Sequence, residues 1–186
     1  MGVVVWEEVR RGLVVGGFYC LCEIWQTKTI AMTPQSTHLD SFIVAGISVR
    51  TTNANGKSQT DIAALWQRFF AEDIKSKIAN RVSDDLYCVY TDYESDDQGA
   101  YTTLLGFKVE SLNYIPENIM SITIPAGTYR LYVSSGKLPD CVVATWQHIW
   151  QTTTDRSYIA DFDLYGAEAQ DPAKATVQTF LSVAGS

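Results

Sequence analysis

The sequence predicts an α+β fold of two pseudo-symmetric β-α-β-β modules side by side. Three observations predict it. Ile62-Ala63-Ala64-Leu65-Trp66-Gln67-Arg68-Phe69-Phe70 lines up with Val142-Val143-Ala144-Thr145-Trp146-Gln147-His148-Ile149-Trp150, at an offset of 80 residues from Trp66 to Trp146. An extended run containing Ala-Gly precedes each helical stretch, around Ala45-Gly46 and again around Ala126-Gly127. Two strand-like runs follow each helix. A unit of two or three strands has little stability alone, so two such units must bury each other's apolar surface.

Residues 1–39 have a different texture and are expected to be an N-terminal extension outside the domain, with Met32 as a candidate working start. The uncharged stretch from Gly12 to Cys22 is too short to cross a bilayer, which takes about 20 residues. Glu7, Glu8 and Glu23 spoil a secretory signal. The patterned region 40–186 is the domain, with module one at about 40–113 and module two at about 114–186. In module one, Ile43 to Arg50 reads as a strand and Ile62 to Phe70 as an amphipathic helix, with Ile62, Leu65, Trp66, Phe69 and Phe70 on one face. Leu86 to Thr91 and Tyr101 to Val109 read as a hairpin around the polar, Gly-ended stretch Asp92 to Gly99. A linker around Asn113 to Asn118, punctuated by Pro116, leads to the second module. There, Ile124 to Val133 is a strand, and Val142, Trp146, Ile149 and Trp150 mark a helix face. Ala160 to Tyr165 and Ala175 to Val183 close the module. His148 points away from Trp146 and Trp150 and is expected on the surface.

Composition limits the function. The 186 residues carry 14 Lys plus Arg against 21 Asp plus Glu, a formal charge of −7, and 46% are hydrophobic. Such a chain folds without disulfide or metal staples, and its acidic excess argues against direct nucleic-acid binding. Cys20, Cys22, Cys88 and Cys141, with only His38 and His148 beside them, offer no zinc-ligand spacing. They read as reduced thiols of a cytoplasmic protein. No metal, no cofactor and no membrane association are expected: phosphate-binding, dinucleotide-binding and metalloprotease patterns are absent from the sequence. The acidic hairpin Asp92-x-Glu94-x-Asp96-Asp97 lacks the glycine and glutamate of a calcium loop. By contrast, 5 Trp, 10 Tyr and 7 Phe supply many large rings for a core or a ligand.

The strand Asp161-Phe162-Asp163-Leu164-Tyr165 carries the chemistry. Alternation puts Phe162 and Leu164 on one face and Asp161, Asp163 and Tyr165 on the other. Aligning Tyr90 with Tyr165 sets Cys88 opposite Asp163 across the pseudo-axis. If Phe162 and Leu164 pack under the helices, Asp163 sits mid-sheet beside aromatics, where an unpaired carboxylate is costly. Three partners remain open: an internal cation such as Arg130, water on an exposed strand face, or a cationic ligand sandwiched by rings.

Val44 to Asn53, Leu65-Trp66-x-x-Phe69, Tyr87 to Asp96, Ile124-Pro125-Ala126-Gly127-Thr128-Tyr129 and Asp161 to Tyr165 together resemble the integron-cassette effector-binding proteins. These belong to the GyrI-like, or AraC-type effector-binding, superfamily. The resemblance spans about Phe42 to Val183. It implies a standalone ligand-sensing domain with a ligand cleft at the junction of the modules that accepts cationic, amphiphilic or aromatic compounds. It also implies a counter-charge at Asp163, where relatives carry a glutamate, with Tyr165, Trp146, Tyr129, Trp66, Tyr90, Trp150 and Phe70 as lining rings.

The leading expectation is therefore a non-enzymatic sensor or sequestering protein, a monomer or weak homodimer, whose link to transcription regulation runs through a protein partner. Two alternatives come from other classes. Some superfamily members look like hydrolases of cyclopropane-containing genotoxins, for which Asp163 and Tyr165 offer an acid and a tyrosine. The gyrase-inhibitor name suggests an interaction module with an acidic surface.

Overall fold

The computed structural model describes residues 33–113 and 115–184, together with four short strands ahead of them. The chain divides into two units, Met1–Thr33 and Pro34–Ser186. In the first, β1 (Val4–Trp6) pairs with β4 (Thr27–Thr29), and β2 (Leu13–Val15) with β3 (Phe18–Cys20), all antiparallel. The rest of that segment, and with it the expectation that residues 1–31 lie outside the domain, falls outside the described residues.

The second unit is an eight-stranded antiparallel sheet with helices on one face. Its strands are β5 (Gln35–Leu39), β6 (Phe42–Thr52), β7 (Arg81–Thr91), β8 (Ala100–Val109), β9 (Met120–Ile124), β10 (Gly127–Gly136), β11 (Ala160–Tyr165) and β12 (Ala175–Ser182). The helices are α1 (Lys57–Ala71), α2 (Ile74–Lys77) and α3 (Asp140–Thr152). The spatial order is β5-β10-β12-β11-β7-β8-β6-β9. Module one contributes β7-β8-β6 and module two the mirrored β11-β12-β10, joined by the β7–β11 pairing.

Two departures from the expected elements tie the modules together. The run from Ile124 to Val133 is broken at Pro125-Ala126, and the part before the break, β9, pairs with β6 of module one. Proline has no N–H for the ladder, so the strand ends there. Reciprocally, Gln35–Leu39, expected within the extension that ends at residue 39, is a strand of the sheet and pairs with β10 of module two. Each module thus lends its leading strand to the other. The connections at Asp40-Ser41 and Pro125-Ala126 carry the chain from one sheet edge to the other, and the Ser41 hydroxyl donates to the Ile124 carbonyl at 3.0 Å.

The sheet curls as a result. Phe42 on β6 lies 5.7 Å from Phe162 on β11, although β8 and β7 stand between their strands. The inside of the curl holds one core, with Val44, Tyr87, Val89, Leu104, Ile124, Tyr129, Phe162 and Phe180 among its members. The outer face holds the other, where Leu65 and Phe69 of α1 pack on Ala45, Ile47, Cys88, Leu105 and Phe107. This corrects one expectation: Phe162 and Leu164 pack inside the curl, and the face that carries Asp161, Asp163 and Tyr165 is the one under the helices. A curled sheet buries both of its faces, so alternation alone does not tell which set meets the helices.

Candidate functional site

α1 packs over β6 and β8, and α3 over β10, so β7 and β11 run along a trough between the two helices. Its floor follows the β7–β11 register: Tyr90 opposite Asp161, Cys88 opposite Asp163, and Leu86 opposite Tyr165. The walls repeat the sequence symmetry. Trp146 of α3 meets Tyr90 edge-on at 5.0 Å, and Trp66 of α1 meets Tyr165 edge-on at 5.1 Å. One helical turn on, Trp150 lies 6.3 Å from Trp146 and Phe70 lies 6.0 Å from Trp66. Both outer rings are exposed, Phe70 to 66% and Trp150 to 44%, and form the rim.

At the centre, Asp163 is 0% exposed. Its Oδ2 accepts hydrogen bonds from the Tyr90 hydroxyl at 2.8 Å and the Trp146 indole N–H at 3.0 Å, and its Oδ1 accepts one from Thr179 at 2.5 Å. All three donors are neutral. Burial pushes the phenol of Tyr90 well above its ordinary value, as does the neighbouring Asp163 charge. None of the ion pairs among the described residues involves Asp163. Burial pushes its carboxyl up from 3.8 to about 6, against the three hydrogen bonds, which pull it down. Cys88 donates weakly to the Tyr90 oxygen at 3.4 Å, and burial holds its thiol protonated. The centre is therefore a fully hydrogen-bonded carboxylate whose charge no described side chain balances.

A buried ion pair stands at the Asp161 end of the trough. Arg156, on the segment after α3, pairs with Asp161 at 2.7 Å, both side chains nearly inaccessible. The Tyr93 hydroxyl donates to the same Asp161 oxygen at 3.0 Å, and the Ser182 N–H and hydroxyl both donate to the other at 2.7 Å. Three rings surround the guanidinium, with Tyr158 at 4.3 Å and Tyr93 and Trp146 each at 5.7 Å. Burial disfavours the charged guanidinium, but Asp161 together with Tyr93 and Tyr158 outweighs it and raises the Arg156 pKa. In module one, a depression of about 260 Å³ is lined by Phe69, Phe70, Asp73, Lys75, Asp84, Leu86 and Phe107.

Of the residues singled out from the sequence, Asp163, Tyr165, Trp146, Trp66 and Tyr90 come together on this face, with Trp150 and Phe70 at its rim. Tyr129 does not. It lies inside the curl, 5.9 Å from Phe162, with its hydroxyl on the Pro125 carbonyl, because its side chain points to the other face of β10. Arg130 pairs with Asp155 at 2.5 Å and not with Asp163. His148 is half-buried beside Tyr132, 6.3 Å away, where a surface position was expected. Sequence reasoning missed Thr179, Arg156, Tyr93 and Tyr158. Thr179 had a visible signal, a lone hydroxyl between Val177 and Leu181 on one strand face. Tyr93 was hidden in an acidic hairpin, and Arg156 and Tyr158 in a segment with no period.

Comparisons with known proteins place the fold in a family. Residues 37–179 match the family model described as Cass2, integron-associated effector binding protein. A putative transcriptional regulator protein of Bacillus subtilis, YobU, is 30% identical over 154 residues, 79% of this chain and 95% of that protein. The integron cassette protein VCH_CASS2 of Vibrio cholerae superposes with a TM-score of 0.64 at 27% identity, over 81% of this chain and 95% of that one. SAV2435, solved bound to tetraphenylphosphonium, superposes with a TM-score of 0.70 at 20% identity, over 83% and 95% of the two chains. The repeat, the strand exchange and the family match over most of the sheet lead to one assignment: the chain belongs to the integron-associated effector-binding proteins.

Proposed function

We propose that the protein binds small aromatic or amphiphilic cations in the trough between α1 and α3, as a non-enzymatic sensor or sequestering protein. Asp163 is the counter-charge, Tyr90, Trp146, Trp66 and Tyr165 are the inner rings, and Trp150 and Phe70 the rim. One observation carries this reading: a carboxylate 0% exposed, served only by neutral donors, in a cradle of rings. Such a group is buried without an opposite charge, and an incoming cation supplies one. The tetraphenylphosphonium bound by SAV2435 is a cation of this class.

The magnitudes are sufficient. A charge-assisted bond gives about 1.5–3 kcal/mol and each cation–π contact about 0.5–2 kcal/mol. Association and displacement of at least one ring from Asp163 subtract from this, leaving an affinity on the order of micromolar. The acidic chain does not contact DNA in this reading, and a link to transcription runs through a protein partner inside the cytoplasm. Asp163 acts without turnover, its oxygens engaged by fixed donors and not presented to water.

The test is calorimetric titration and thermal shift with tetraphenylphosphonium and rhodamine 6G on wild type and Asp163→Asn. Saturable binding that falls at least tenfold in the variant supports the reading. Equal binding by both proteins, or none by wild type, refutes it, and product formed over many turnovers from a bound substrate would replace it by hydrolysis.

A further inference from the structure

Arg156 is the one buried cation among the described residues, and its hydrogen bonding is incomplete. Nη2 serves Asp161 at 2.7 Å and the Tyr93 oxygen at 3.3 Å. Nε and Nη1 are buried with no hydrogen-bond partner. A guanidinium has five N–H donors and no acceptor, and ring faces satisfy its charge without satisfying those directions. Buried donors left in this state are costly, so a group that brings them an acceptor is bound with corresponding gain.

The position of these donors matters. The Trp146 ring that lies 5.7 Å from the guanidinium carbon is the same ring whose N–H reaches Asp163. Asp161, which holds Arg156, stands two residues before Asp163 on the same face of β11, and Trp146 lies against both the guanidinium and the Asp163 carboxylate.

We infer that Arg156 is a second ligand-recognition residue, and that the preferred occupants are monocations carrying a neutral carbonyl-type acceptor, such as amides, ketones or esters. The cationic part lies on Asp163 and the acceptor on the free donors of Arg156. A carboxylate in place of the neutral acceptor gains less. Asp161, Asp163 and Arg156 together carry a net formal charge of −1, and an added negative group is repelled. This rests on the reading of Asp163 as the counter-charge and adds to it a requirement that simple cations do not meet.

Three matched probes test it on the intact wild-type chain: trimethylphenylammonium ions with methyl, carboxamide or carboxylate at the para position. The carboxamide is expected to bind about tenfold more tightly than the methyl compound, and the carboxylate no more tightly than the carboxamide. Arg156→Lys, which keeps the charge beside Asp161 but removes the fork of donors, is expected to reduce the carboxamide preference to less than twofold. Should that variant fail to fold, the Arg156 Nε–H resonance of wild type takes its place, shifting with the carboxamide and not with the methyl compound. Equal affinity of the methyl and carboxamide ions means that solvent already serves Nε and Nη1 and overturns the inference while leaving Asp163 its role. A preference that survives Arg156→Lys overturns it as well. Absence of binding by all three ions removes the Asp163 reading itself.

Discussion

Asp163 and Cys88 face each other across the β7–β11 pairing, and the repeat that maps Tyr90 onto Tyr165 maps Cys88 onto Asp163. The two residues therefore stand where the pseudo-twofold axis crosses the sheet. Everything around them is nearly symmetric: a tyrosine on each side, each met edge-on by the tryptophan of one helix. The axis position itself is not, because one partner is a carboxylate and the other a thiol held neutral by burial. A near-symmetric aromatic cradle thus carries one charge on its axis.

The raised pKa of Asp163 gives opposite pH trends for stability and binding. Its carboxyl titrates at about 6 in the folded protein against 3.8 for the ordinary group. Between these values the folded state keeps a proton that the unfolded chain has released. The stability this group contributes is full below the lower value, is lost as pH rises through the higher one, and is flat above. The change is on the order of 3 kcal/mol. Cation affinity runs the other way, rising through pH 6 and levelling above it. Urea denaturation and ligand titration from pH 4 to 8 check both, and Asp163→Asn should flatten both slopes.

The two pseudo-equivalent tryptophans should not be equivalent energetically. Trp146→Phe removes a donor from a buried carboxylate and should cost about 1–3 kcal/mol at pH 8. Trp66 is half-buried and has no such bond to Asp163 among the described contacts, so Trp66→Phe should cost less than about 1 kcal/mol. Denaturation midpoints at one pH separate them.

Thr179→Val replaces the hydroxyl on Asp163 Oδ1 by a methyl of similar size. With one of its three donors gone, the carboxyl should titrate higher still. The pH midpoint of cation binding should then move upward, with a smaller affinity change at pH 8 than at pH 6.

Arg156→Met strands the buried Asp161 charge and should destabilise by about 3–5 kcal/mol. Arg156→Met combined with Asp161→Leu removes both charges and should recover much of that loss. A double variant no better than the single one would show that Ser182 and Tyr93 alone sustain Asp161.

Gly46 and Gly106 lie opposite each other on β6 and β8. A Cβ on Gly46 would fall 2.0 Å from the Leu105 carbonyl oxygen and 2.6 Å from the Gly106 Cα. Backbone atoms cannot swing aside as a side-chain tip can, so Gly46→Ala should destabilise by about 1–3 kcal/mol, measured by denaturation.

Much of this protein was decided locally and could be read from the chain. The repeat, both long helices, the β7–β8 hairpin and the opposition of Cys88 and Asp163 follow from periods of 3.6 and 2, which depend only on backbone geometry. So does the presence of a charge at Asp163 where its counterpart is uncharged. What the local pattern left open was decided by contacts between distant segments. The curl determined which face of β11 meets the helices, and so sent Tyr129 and Phe162 into one core and Asp163 into the other. The strand exchange took Gln35–Leu39 into the sheet, because the open edge of β10 offers unpaired backbone groups to whatever segment reaches it. Arg156, and not Arg130, became the buried cation because the turn after α3 brings its guanidinium among Tyr93, Tyr158 and Trp146, rings from three separate stretches of chain. Periodicity reports the direction a side chain points relative to its neighbours in sequence. Which charge is buried, and beside what, depends on how the sheet closes, and that is a property of the folded chain alone.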